Sequence, residues 1–162
     1  MNFHKITRND IANGVGIRTV LWVSGCSHHC KGCHNPETWD INSGKLFTED
    51  DYNTLIEYTK PDYVNGLTLS GGDPFHILNR DYLVELLVRF KKHLPNKSIW
   101  SYTGYSWDDI KNTALIKNLD VLVDGKFIES KKDVSLDYCG SYNQRVIDVQ
   151  KSLKSGEIKI FI

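Results

Sequence analysis

Residues 19–33 read TVLWVSGCSHHCKGC, a short apolar run followed directly by three cysteines. The apolar part contains β-branched residues and ends at a glycine, which is typical of a buried β-strand. Cys26, Cys30 and Cys33 follow with the spacing C-x3-C-x2-C. The stretch therefore predicts a strand whose carboxyl end carries a loop of thiols.

Further short apolar runs end at or just before glycine, as the first one does. They cover residues 67–70, 98–102 and 120–124. Helical patterns separate them, because Thr48 and Asp51 form a capping pattern and residues 80–92 repeat apolar side chains at helical spacing. Strands that alternate with helices predict an α/β fold with a parallel sheet, in which ligands collect beyond the carboxyl ends of the strands.

The last part of the chain has a different pattern. Residues 145–149 (RVIDV) and 157–162 (EIKIFI) are both rich in apolar residues, and the segment Lys154-Ser155-Gly156 lies between them. This pattern predicts a C-terminal β-hairpin. The length of 162 residues suits one domain, so we expect residues 1–162 to form a single unit.

Composition excludes several classes of function. The 20 basic and 20 acidic residues give a formal net charge of zero, which argues against nucleic acid as a partner. No apolar run approaches the ~20 residues of a membrane span, and the first residues lack a signal-peptide core. Clustered thiols without an export signal indicate metal binding or catalysis in the cytoplasm rather than disulfides.

The cysteine spacing leaves two kinds of metal site open. Three thiolates in a short loop suit zinc or an iron–sulfur cluster. A structural zinc site needs four protein ligands, and His28, His29 or His34 is chemically able to supply the fourth. A four-iron cube held by three cysteines instead leaves one iron open to an outside ligand. The remaining cysteine, Cys139, lies in an unrelated segment.

A second motif narrows the choice. Gly71-Gly72-Asp73-Pro74 follows the second strand, and together with the cysteine loop it is similar to the signature of radical S-adenosylmethionine (SAM) enzymes. The chain further resembles the activating proteins of anaerobic ribonucleoside-triphosphate reductases over nearly its whole length. The resemblance rests on residues 13–18, 25–33, Asn35, Trp39, 66–74, 103–105 and 140–145.

The resemblance implies a truncated, partial (βα) barrel of the radical SAM type, and a reaction. Cys26, Cys30 and Cys33 would hold one [4Fe–4S] cluster, whose open iron binds SAM. Reductive cleavage of SAM would yield a 5′-deoxyadenosyl radical, which removes a hydrogen atom from a glycine of the reductase large subunit. The resemblance also implies a complex with that subunit and reduced flavodoxin as electron donor.

It also assigns residues to SAM. Gly71 and Gly72 would allow close approach of the methionine part, and the adjacent Asp73 would accept from its ammonium group or only cap the next turn. The adenine would meet Gly32, Cys33 and His34, with the His34 ring in contact or in solvent. Activation of a different glycyl-radical enzyme and a non-catalytic zinc module are the alternative functions.

The chain departs from these patterns at four positions, one of which is the acid of the glycine motif, Asp73 rather than glutamate. Gly32 stands where many radical SAM enzymes carry an aromatic residue, and His34 stands where this family commonly has tyrosine. Cys139 takes the place of an arginine, two residues before Ser141. A role of this last position in partner contact is therefore left open.

Overall fold

The computed structural model describes all residues, 1–162, and consists of one mixed sheet with helices against it. The strands are β1 (Asn2–Asp10), β2 (Ile17–Val23), β3 (Lys45–Leu46), β4 (Val64–Gly71), β5 (Ser98–Tyr102), β6 (Val121–Asp124) and β7 (Arg145–Asp148). The helices are α1 (Glu49–Thr59), α2 (Arg80–His93), α3 (Trp107–Ile110) and α4 (Val149–Ser155), with short 3-10 turns at Pro36–Thr38, Ile116–Asn118 and Glu129–Lys131.

The four strands predicted from the sequence form the centre of the sheet. Its order is β3-β1-β2-β4-β5-β6-β7, and β2, β4, β5 and β6 are mutually parallel. Because the parallel strands follow one another in chain order, right-handed crossovers place their connecting helices on the same face. That face carries the main core of 22 buried residues, and the opposite face is left free for a cavity.

The structure confirms the predicted helices α1 and α2, together with the capping pattern and the apolar spacing that predicted them. Thr48 and Asp51 form the capping box that begins α1, with the Thr48 amide donating to Asp51 Oδ2 over 2.9 Å. In α2 the apolar stripe, which includes Leu83, Leu87 and Phe90, is buried against the sheet. No helix combines the length and the apolar composition that crossing a membrane requires.

The sheet is mixed and open rather than wholly parallel, which corrects the sequence-based expectation. The edge strands β3 and β7, and β1 next to β3, pair antiparallel with their neighbours. β1 gave no signal in the sequence because it lies near an edge and only Phe3 among its nine residues is buried. A strand with little burial carries no strong apolar alternation.

The predicted C-terminal hairpin is wrong in its connection. Residues 149–155 form helix α4, with Asp148 as its N-cap and Gly156 as its left-handed C-cap, rather than a turn. The chain then returns antiparallel beside β7 through a single bridge between Ile147 and Ile160. Capping by Asp148 and Gly156 therefore outweighs the apolar pattern that predicted a strand and a short turn.

Candidate functional site

A cavity of about 420 Å³ opens on the helix-free face, beyond the carboxyl ends of β2, β4 and β5. This is the position where parallel α/β sheets bind ligands. Seven of the residues that the sequence predicted for cofactors line it: Cys26, Cys30, Cys33, His34, Gly71, Gly72 and Asp73. The thiol loop and the Gly71-Gly72 turn, whose first members Cys26 and Gly71 are 45 positions apart, therefore line one cavity.

Backbone amides lie near two of the thiols. The amides of His28 and His29 act on the Cys26 thiol, and the amide of Phe127 acts on the Cys30 thiol. Burial raises the pKa of both thiols, and these amides oppose the rise by stabilising the thiolates. The backbone is thus arranged for sulfur that carries negative charge, as it does when it binds a metal.

The third thiol and the base of the loop are held in the same way. The Asn35 amide lies 3.4 Å from the sulfur of Cys33 and donates to it. At the start of the loop, the Cys26 amide donates to the Trp39 carbonyl over 2.9 Å. The Gly25 amide donates to the Thr38 carbonyl over 2.7 Å. These contacts fix both ends of the thiol loop.

The three thiols are the donor set that an iron–sulfur cube with one open iron takes. No three His, Cys, Asp or Glu side chains lie close enough together to hold one metal ion. A cube makes no such demand, because each thiolate binds a different iron. Cys139 borders the same cavity from the loop between β6 and β7, where it packs beside the apolar cluster around Trp100. Burial and the charge of Asp124 raise the pKa of its thiol.

The Gly71-Gly72 turn fits closely against β2. The Gly72 amide donates to the Val23 carbonyl and the Asp73 amide donates to the Gly25 carbonyl, each over 2.7 Å. A Cβ on Gly71 would lie 2.7 Å from the Val23 oxygen, and one on Gly72 would lie 2.5 Å from the Gly25 oxygen. The close approach of the thiol loop therefore explains why both positions are glycine, whether or not a ligand also contacts them.

The carboxylate of Asp73 is buried and accepts hydrogen bonds from three other residues. It caps its own turn by accepting from the Phe75 amide over 2.8 Å. It also accepts from the Thr103 hydroxyl over 2.9 Å and from the Gly104 amide over 3.0 Å. The turn-capping alternative is thus realised, and the carboxylate joins the ends of β4 and β5.

Gly32 and His34 lie at the outer side of the thiol loop. Gly32 adopts a positive φ of 74°, and a Cβ there would meet the Glu129 carboxylate at 3.0 Å. Glu129 also pairs with Lys31 over 3.1 Å. The His34 ring borders the cavity and packs against Phe127 with centroids 5.6 Å apart, whereas Gly32 does not line the cavity.

The block Asn143-Gln144-Arg145 braces the cavity wall from behind. Arg145 forms an ion pair with the buried Asp124, and the pairing raises the pKa of the guanidinium. Gln144 accepts from the Gly140 amide over 2.8 Å, and Asn143 donates to a backbone carbonyl over 2.9 Å. These contacts give the block a structural role at the cavity wall.

Arg18 supports the floor of the cavity. Its guanidinium is fully buried, donates to Thr68 Oγ1 over 2.6 Å and lies over the ring of Trp100. Burial lowers the pKa of Arg18 to about 10, so it remains charged at neutral pH. The Thr68 hydroxyl in turn donates to the Asn13 carbonyl over 2.8 Å, which ties the cavity-lining loop before β2 to the sheet.

Part of the cavity wall had no signal in the sequence. Leu136 and Tyr138 belong to the long irregular loop between β6 and β7, which has neither helical nor strand periodicity. Tyr102 was recognised only as a strand residue, yet it also lines the cavity, and burial strongly raises its pKa. Only the tertiary structure brings these side chains to the thiols.

Comparison with known proteins gives the class of the site. Residues 12–147 match the family model described as a 4Fe-4S single cluster domain. The match contains the thiol loop and the Gly71-Gly72 turn. The open sheet, with three thiols beyond the carboxyl ends of its parallel strands, is thus the fold of an iron–sulfur protein family.

Curated relatives narrow the class. A Vibrio cholerae protein named anaerobic ribonucleoside-triphosphate reductase-activating protein is 43% identical to this chain. The alignment covers 89% of this chain and 96% of that relative. The proteins of the same name in Enterobacteria phage T4 and Escherichia coli strain K12 are 41% and 43% identical, over 90% of this chain and 93% and 97% of their own lengths. The chain belongs to the family of anaerobic ribonucleoside-triphosphate reductase-activating proteins.

Proposed function

We propose that this protein activates an anaerobic ribonucleoside-triphosphate reductase as a radical SAM enzyme. The observation that carries the proposal is the convergence of Cys26, Cys30 and Cys33 with the Gly71-Gly72 turn on one cavity. When bound, a [4Fe–4S] cluster supplies one electron that splits SAM into methionine and a 5′-deoxyadenosyl radical, which takes a hydrogen atom from a glycine of the reductase large subunit.

In this proposal the thiolates of the three cysteines hold the cluster. The backbone amides at the thiol loop stabilise their negative charge. No fourth protein ligand is needed, so one iron stays open to SAM. Cys139 takes no part in binding the cluster.

The Gly71-Gly72 turn supplies acceptors for the methionine part of SAM. The Gly72 amide is already engaged with β2, whereas the Gly72 carbonyl oxygen accepts no hydrogen bond within the protein. That carbonyl therefore suits the SAM ammonium group better than the Asp73 carboxylate, whose donors are supplied internally. Gly32, Cys33 and His34 would contact the adenine.

The open sheet supports a protein as substrate. Seven strands leave the cavity accessible from one side, as a truncated form of the radical SAM barrel would. A glycine-bearing loop of the reductase large subunit would enter there and form a hetero-oligomer with this single domain, residues 1–162. Reduced flavodoxin is the proposed electron donor, and the cytoplasm, which keeps thiols reduced, is the proposed location.

Anaerobic reconstitution tests the proposal. The chain is expected to bind four irons and, with SAM and dithionite, to release methionine and 5′-deoxyadenosine. Mass spectrometry of the products and metal analysis measure both results, and an assay without dithionite is the control, in which SAM should stay intact. Bound zinc with no SAM cleavage would instead support a non-catalytic zinc module.

A further inference from the structure

His28 lies in the thiol loop, but its side chain faces the Gly-Gly-Asp turn. The side chain is 7% exposed, and Nε2 lies 2.8 Å from Oδ2 of Asp73, which is 2% exposed. The angle is outside the range of a hydrogen bond, so this buried nitrogen has no hydrogen-bond partner.

The chain provides a fitted seat for this ring. Gly104 lacks a Cβ where one would lie 2.3 Å from the His28 ring. Tyr105 packs edge-on against the ring with centroids 4.5 Å apart. Thr103 and Gly104 donate to the same Asp73 carboxylate that His28 faces. The segment Thr103-Gly104-Tyr105 thus holds both members of the pair.

Packing alone does not explain a histidine here. An apolar ring would fill the seat between Gly104 and Tyr105 without burying an unpartnered nitrogen beside a carboxylate, which carries a cost in free energy. The histidine ring instead places Nε2 within 2.8 Å of the carboxylate of Asp73, the residue that follows the Gly71-Gly72 turn. Through this contact the thiol loop and the Gly71-Gly72 turn are joined by side chains as well as by backbone.

We propose that His28 is a positioning residue, which acts through Asp73 to hold the Gly71-Gly72 turn in register with the three thiols. The inference rests on the proposed function, since the turn is there the site of the SAM methionine. His28 also lines the cavity, but in this role it acts through Asp73 rather than on iron or SAM. Its removal should weaken SAM binding and leave cluster assembly intact.

The test compares two replacements of similar size. His28→Phe keeps the ring and its contact with Tyr105 but removes the donor, and His28→Gln keeps a donor. His29→Asn is the matched control, because His29 lies in the same loop, is exposed and has a φ of 46°, which asparagine tolerates. After reconstitution, iron content and SAM affinity are measured, the latter from the change in the cluster's electron paramagnetic resonance spectrum.

We expect His28→Phe to lower SAM affinity about tenfold at unchanged iron content, and His28→Gln to stay within about threefold of the parent. His29→Asn should match the parent. In combination with Asp73→Asn, His28→Phe should cost less than the sum of the two single changes, because both remove one contact. Unchanged SAM affinity in His28→Phe, additive effects, or loss of iron or of the fold would overturn the inference.

The same pair of changes is also measured without SAM. Thermal unfolding of the metal-free chain reports whether His28 and Asp73 are coupled. If the parent protein binds no SAM but His28 and Asp73 are coupled in thermal unfolding, the proposed function is rejected and the contact between the two side chains is supported. If the parent binds SAM but the two residues are coupled in neither measurement, only the inference about His28 is rejected.

Discussion

Cys30→Ala is expected to reduce the iron bound after anaerobic reconstitution from four atoms per chain to almost none. Cys30 is the middle thiol of the loop, and in the proposed site each of its three sulfurs binds a separate iron of the cube. Alanine removes that ligand and leaves only two thiols, while the Phe127 amide that supports Cys30 remains. Iron and sulfide analysis of the purified protein measures the effect.

Cys139→Ser is the matched control for this change. Cys139 also borders the cavity, and it is half-buried like the ligands, but it comes from the loop between β6 and β7. Iron content should stay near four per chain in this variant. Loss of the cluster from Cys139→Ser, or its retention in Cys30→Ala, would show that the ligands have been assigned wrongly.

Gly72→Val is expected to impair both cluster assembly and the fold. Its Cβ would lie 2.5 Å from the oxygen and 2.9 Å from the carbonyl carbon of Gly25, which precedes Cys26. These are backbone atoms, so the contact can be relieved only by displacing the start of the thiol loop. Overpacking of this kind costs about 1–3 kcal/mol. Chemical denaturation and iron content measure the two effects.

Gly156→Ala separates this steric effect from the general cost of replacing a glycine. A Cβ on Gly156 meets no atom within 4 Å, although the residue has a φ of 75° at the end of α4. The expected loss of stability is about 1 kcal/mol, with iron content unchanged. Equal iron content in Gly72→Val and the parent would contradict the close fit of the turn against β2.

The centre of the fold was predictable because its signals are local. β2, β4, β5 and β6 are short apolar runs that end near glycine, and α1 carries its capping box in the sequence. The edges of the sheet were not predictable, because their local patterns are weak or misleading. β1 is mostly exposed, and the helix α4 is fixed by Asp148 and Gly156 inside a stretch whose apolar pattern favours a hairpin.

In the site, the two motifs were predictable and their connection was not. The spacing of the cysteines and the sequence Gly71-Gly72 stand out in the chain itself. That His28 faces Asp73, and that Thr103 donates to it, depends on the register of β2, β4 and β5. No local pattern reports these contacts, since Thr103 and His28 lie about 30 and 45 positions from Asp73.

The glycyl radical is the most direct measure of the central claim. The reconstituted protein is mixed anaerobically with the large subunit of an anaerobic ribonucleoside-triphosphate reductase, SAM and a reductant, and the mixture is examined by electron paramagnetic resonance. The account predicts a glycyl-radical doublet on the reductase that is absent when Cys30→Ala replaces the parent. SAM cleavage without any radical on the reductase would contradict it and indicate a different substrate.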